Sequence, residues 1–181
     1  LFFGAGGAVR AEGESNTPGQ VSVPAAQSDG SFAIENGVLT AYTGSDSEVI
    51  IPDGVKEIGD EAFQYASMTS VIIPDSVTKI GERAFMYCSS LDNVIIPSSV
   101  TSIGKEAFSF CSALKTVRIP SSVTKLNDGL FRFCNRLTSV NIPDSVTSIG
   151  EYAFGGCSAL TSVTIPDSVP RVGGVAFWGG P

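Results

Sequence analysis

The chain contains no histidine. That removes the side chain on which most nucleophilic and general-base chemistry at neutral pH depends, so neither a Ser-His-Asp nor a Cys-His arrangement can be assembled. Positive charge is also scarce. With 11 Lys and Arg against 18 Asp and Glu, the formal net charge is −7, and the basic patches needed for sequence-independent binding of nucleic acid or an anionic bilayer are missing. No run of 18 apolar residues occurs, so nothing in the visible chain reads as a helix spanning a membrane. What is not scarce is apolar material: 43% of 181 residues are hydrophobic, enough for a continuous core and too much for a disordered chain.

That material is strictly periodic. Phe63, Phe85, Phe108, Phe131, Phe154 and Phe177 recur every 22 or 23 residues, and Pro52, Pro74, Pro97, Pro120, Pro143 and Pro166 keep the same beat. Repeats of this size form solenoids, in which each unit buries its apolar face on the next and the long outer surface carries function. One repeat reads Leu91, Val94, Ile96, Pro97, Val100, Ile103, Gly104, Ala107, Phe108, Cys111. The Leu-x-x-Val-x-Ile piece alternates like a half-buried strand, and the proline after it ends the ladder because it has no N–H. One short parallel strand per repeat is expected. Gly59, Gly81, Gly104, Gly150 and Gly173 share a column with Asn127, which suggests a left-handed bend there. After it, stretches such as Asp60-Glu61-Ala62-Phe63 suit a single outer helical turn.

The motif Val-x-Ile-Pro-Asp-Ser-Val-Thr-Ser-Ile-Gly-Glu-x-Ala-Phe-x-x-Cys-Ser-x-Leu-Thr-Ser-Val over residues 140–163 resembles the BspA-type leucine-rich repeat of bacterial surface and secreted proteins, and the likeness extends over about residues 48–178. The resemblance implies a curved leucine-rich repeat solenoid of about six 22–23-residue repeats, with strands on the concave face and short helical turns or loops on the convex face. It also implies secretion or cell-surface display, and adhesion to proteins or cells. No cofactor is implied.

Three segments follow. Residues 1–30 read as a signal-peptide remnant, or alternatively a fragment boundary, followed by a flexible linker; Leu1 to Val9 are apolar and glycine-rich, and residues 12–30 have few large apolar groups. Residues 31–48 place Asn36-Gly37 between two short apolar segments, a hairpin signal that would cap the solenoid's N-terminal end. Residues 49–181 are the solenoid. Its last repeat has no outgoing Leu-x-x-Val-x-Ile strand, which points to a truncated C-terminus.

Cys88, Cys111, Cys134 and Cys157 fall 23 residues apart, with Ala66 in the same column. Side chains of one column point the same way and not at one another, so buried free thiols are expected over disulfides or a metal site. The columns Ser76, Ser99, Ser122, Ser145, Ser168 and Asp53, Asp75, Asp144, Asp167 obey the repeat; a catalytic residue should break it. These columns more plausibly serve turn backbone groups, and no enzyme is expected.

The positions left over are the binding candidates. On the concave face they are Ile50, Ile72, Asn93, Ile95, Thr116, Arg118, Asn141 and Thr164, apolar toward the N-terminus and polar beyond. An alternative convex strip, Tyr65, Tyr87, Phe110 and Phe133, could stack sugars or enter a partner. The reading is a non-catalytic module that binds a protein or glycan, with a passive spacer for an unseen domain as the alternative.

Overall fold

A computed structural model describes residues 30–180, so the leader and nearly all the linker expected over 1–30 lie outside the described residues. Each inner repeat contributes two parallel strands, one more than the alternation announced. The first set is β3 (Glu48–Ile50), β5 (Ser70–Ile72), β7 (Asn93–Ile95), β9 (Thr116–Arg118) and β11 (Ser139–Asn141). The second set has two residues apiece: β4 (Glu57–Ile58), β6 (Lys79–Ile80), β8 (Ser102–Ile103), β10 (Lys125–Leu126), β12 (Ser148–Ile149) and β13 (Arg171–Val172). The proline carbonyl between the two sets accepts the N–H of the valine three residues on, as from Val77 to Pro74 at 3.0 Å, and this turn separates one strand from the next.

The N-terminal hairpin is present. β1 (Phe32–Glu35) pairs antiparallel with β2 (Val38–Tyr42) around Asn36 and Gly37, both with positive φ. β2 then joins β4 in parallel, so the hairpin covers the edge of the second set of strands; β3 remains the terminal strand of the first set. Its aromatic residues also extend the core, with Phe32 against Tyr42 and Tyr42 against Phe63, each pair of centroids 5.2 Å apart.

The third side of each repeat departs from expectation. No helix forms among the described residues. Instead, alternate amides turn outward and inward: Glu61, Phe63 and Tyr65 donate to carbonyls of Glu82, Ala84 and Met86 in the next repeat, while Gln64 and Ala66 donate three residues back. Turning the chain this way needs left-handed backbone, found at Glu61, Arg83, Glu106, Gly129 and Tyr152 and again at Tyr65, Tyr87, Phe110, Phe133, Gly156 and Gly179. A helical turn would have directed all those amides within the repeat and left the stack unpaired on this side.

The column Gly59, Gly81, Gly104, Gly150 and Gly173 is not left-handed. Its cause is close approach. A Cβ on Gly104 would lie 2.5 Å from the Glu82 amide nitrogen and the Gly81 carbonyl carbon, and one on Gly81 would lie 2.6 Å from the Asp60 nitrogen. The glycine amides donate across that short gap, Gly81 to Ile58 and Gly104 to Ile80.

The core is a set of single-residue columns. Rings of Phe63, Phe85, Phe108, Phe131, Phe154 and Phe177 stack with centroids 4.9–5.6 Å apart, the spacing that the parallel backbone ladder imposes. Phe63 to Phe154 are fully buried, and truncating such a residue to alanine typically costs about 3–5 kcal/mol.

Both ladders are interrupted at one place. β7 and β9 do not pair, and neither do β8 and β10, whereas β3-β5-β7, β9-β11, β2-β4-β6-β8 and β10-β12-β13 do. Thr78, Thr101 and Thr147 donate their amides to the preceding repeat, but Thr124 makes no such bond among the described residues. The residues that differ there include Leu130, in a column otherwise alanine, and Asn127. Asn127 carries a side chain where its column has glycine, so its repeat cannot approach as closely, and its Nδ2 donates to the Ile103 carbonyl at 2.6 Å in place of the backbone amide.

Candidate functional site

The strand face is built by alternation. Val49, Val71, Val94 and Val117 point into the core, so their neighbours must point out. Ile72 is 52% exposed and Ile95 70%, while Ile50 is only half-buried. Register places Ile50 opposite Ile72 and Ile72 opposite Ile95, and these three make one apolar strip. Asn93, Thr116, Arg118, Asn141 and Thr164 are exposed on the same face, with Arg118 opposite Asn141. The strip ends at the interrupted ladder. Over that seam lies a shallow groove of about 430 Å³ bordered by Ile95, Pro97, Arg118, Pro120, Asn141 and Pro143, and a second of about 300 Å³ lies between Asn93, Ile95, Thr116 and Arg118.

The alternative strip has a different geometry. Tyr65, Tyr87, Phe110 and Phe133 stack on one another with centroids 5.0, 4.4 and 4.9 Å apart. Each ring's faces are occupied by its neighbours, so the strip offers ring edges to solvent. The outer face of Tyr65, 68% exposed, is the exception at one end. At the other, Phe133 lies over Gly156, where a Cβ would meet the ring at 2.5 Å. Sugar stacking needs an open face, and this strip offers one only at Tyr65. Arg132 lies over the rings of both Phe133 and Tyr152 at about 5 Å, which fixes this end of the strip.

Several polar side chains hold repeats together. Ser76, Ser145 and Ser168 donate their hydroxyls at 2.7–2.9 Å to the carbonyls of Val55, Val123 and Val146 in the preceding repeat, and Ser122 donates to Val100. These four serines satisfy a neighbour's backbone and not their own turn, whereas Ser99 Oγ is buried with no partner among the described residues. Asp60 and Asp128 accept the amides of Glu82 and Glu151. Lys105 pairs with Asp128, and Arg83 with Glu106; the Lys105 hydrogen bond holds the Asp128 carboxyl below its ordinary range.

The four cysteines are free and buried. Each thiol donates to a phenylalanine carbonyl in the preceding repeat, Cys88 to Phe63, Cys111 to Phe85, Cys134 to Phe108 and Cys157 to Phe131, at 3.0–3.2 Å. Burial pushes the thiols of Cys88 and Cys157 up to about 12 and raises those of Cys111 and Cys134 well above their ordinary value. They are donors locked along the stack, not nucleophiles. Among the described residues no three His, Cys, Asp or Glu side chains converge where a metal could be held.

Sequence reasoning missed the seam and the left-handed aromatics. A signal for each was present: Asn127 alone breaks the glycine column, and Gly156 and Gly179 continue the aromatic one.

A family model described as the BspA type leucine rich repeat region matches residues 56–180 in six copies. Among solved structures, the chain is similar to a leucine rich cell surface protein from Faecalibacterium prausnitzii A2-165, with 38% identity and a TM-score of 0.64 over 87% of this chain and 52% of that one. It is likewise similar to a leucine-rich repeat protein from Eubacterium ventriosum, with 31% identity and a TM-score of 0.61 over 80% of this chain and 46% of that one. The leucine rich repeat protein of T. pallidum is 27% identical with a TM-score of 0.54, over 81% and 63% of the two chains. The chain thus spans about half the length of the first two. The comparison with curated proteins returned no significant match. Six repeats in register, and a 38% identical neighbour with the same fold, make this chain a member of the BspA-type leucine-rich repeat family.

Proposed function

We propose that this chain is a non-catalytic binding module of a secreted or cell-surface protein, and that it grips a protein ligand on its strand face. The observation that carries the reading is the strip of Ile72 and Ile95, 52% and 70% exposed on adjacent strands. Large aliphatic side chains held in register at the surface gain by being covered. An apolar strip suits a protein ligand better than a glycan, whose hydroxyls would be left unpaired against it. The non-catalytic reading draws support from the absence of histidine and from the inter-repeat bonds that occupy serines and carboxylates. Surface display draws support from the Faecalibacterium neighbour, described as a cell surface protein.

The test is an array of purified extracellular proteins probed with the full chain, each positive being titrated by biolayer interferometry. Saturable binding to a folded protein is the expected result. A passive spacer would give no saturable binding.

A further inference from the structure

The seam and the strip meet at one point, and that point carries Arg118, the one cation in the two outward columns of the strand face among the described residues; the other charge there, Glu48, lies at the far end on β3. Lys79, Arg83, Lys105 and Lys115 each pair with a carboxylate, whereas Arg118, like Lys56, Lys125, Arg132, Arg136 and Arg171, makes no ion pair among the described residues and leaves its guanidinium available on the strand face. It projects from β9, the first strand after the interrupted ladder, and borders both grooves of the strand face that straddle the seam. Ile95 stands on the other side, on β7.

Building on the strand-face reading, we infer that the groove over the seam takes an extended segment of a partner protein, with a carboxylate on Arg118 and an aliphatic side chain on Ile95. A guanidinium presents a rigid fork of donors that matches a carboxylate. The adjacent isoleucine selects against ligands that supply charge alone, such as acidic sugars. The groove runs across β7, β9 and β11, from Ile95 past Arg118 to Asn141, so its length suits an extended segment.

The probe is a set of three acetylated peptides added to the full chain with labelled isoleucine methyls and arginine side chains. The first, amidated, has an aspartate between two valines; the second has asparagine in that place; the third is the asparagine peptide with a free terminal carboxylate. The aspartate peptide is expected to shift the Ile95 methyl and Arg118 side-chain signals and to bind about tenfold more tightly than the amidated asparagine peptide. That preference should fade with added salt and vanish in Arg118→Gln. Recovery of the preference by the third peptide would assign the site to chain termini; its failure would assign it to internal acidic side chains. Equal affinity for the first two peptides, or shifts produced by a uronic acid oligosaccharide and by no peptide, would overturn the inference. If a protein ligand from the array loses binding in Ile95→Asp but keeps both affinity and salt dependence in Arg118→Gln, the strand-face reading survives and this one falls.

Discussion

Tyr87 has φ near +62° and sits between the rings of Tyr65 and Phe110. A bulky L-residue in the left-handed region pays roughly 1–2 kcal/mol relative to glycine, and the aromatic column pays it at four successive positions before glycine takes over at Gly156. Stacking offsets the strain. Tyr87→Ala removes the stacking and keeps the strain, whereas Tyr87→Gly removes both. In urea unfolding the glycine variant should therefore be the more stable of the two, by about 1 kcal/mol after its larger unfolded-state entropy is counted. An alanine variant at least as stable would show that the backbone there is not strained. The thiols make a second residue-scale prediction. Cys88 and Cys157 have thiols pushed from 9.0 to about 12 by burial. Between those values the unfolded chain releases protons that the folded chain keeps, so stability is full below pH 9 and falls as pH rises toward 12. The drop in Tm over that window should be shallower in Cys88→Ala/Cys157→Ala, where the raised thiols of Cys111 and Cys134 remain. Identical slopes would place those thiols in water.

The strand is the scale at which sequence and structure part company. Glycine at 104 and its equivalents is dictated by the neighbouring backbone 2.5–2.9 Å from where a Cβ would sit, and Asn127 carries one beside the place where β8 and β10 do not pair. Asn127→Ala keeps the Cβ and loses the bond to Ile103, and should cost about 1 kcal/mol. Asn127→Gly should be more stable than the alanine variant and should slow hydrogen exchange at Lys125 and Leu126, as β10 closes onto β8. Gly104→Ala should cost about 2–3 kcal/mol because rigid backbone cannot give way. Equal stability of the two Asn127 variants would remove the asparagine as cause of the seam. The columns of Phe, Val, Ile and Cys were legible because burial repeats with the chain. The left-handed positions were harder to read, since most of them, such as Glu61, Arg83 and Tyr65, are not glycine, and only Gly129, Gly156 and Gly179 in those columns give the signal. The glycines that did repeat pointed to conformation when the cause was a contact between repeats 22 or 23 residues apart. Ile72 and Ile95 were found as outward positions by period-2 alternation alone, but the groove beside them arises from a missing pairing that no single repeat encodes.

Across the described residues, stability is shared between neighbours in a line, and the candidate surfaces run along the outside of the stack. Two surfaces compete: the strand face, with Ile72, Ile95 and Arg118 at its seam, and the aromatic strip, whose ring faces are mostly spent on each other. Interfaces concentrate their energy in a few central anchors, so the two can be separated by substitution. The decisive measurement is the extracellular-protein array probed in parallel with the native chain, Ile72→Asp/Ile95→Asp and Tyr87→Ala/Phe110→Ala, each variant first shown folded by circular dichroism. The account predicts that the native chain and the aromatic variant bind the same proteins with Kd values within about threefold, while the aspartate variant loses at least about a hundredfold in affinity. Binding retained by the aspartate variant and lost by the aromatic one would contradict it.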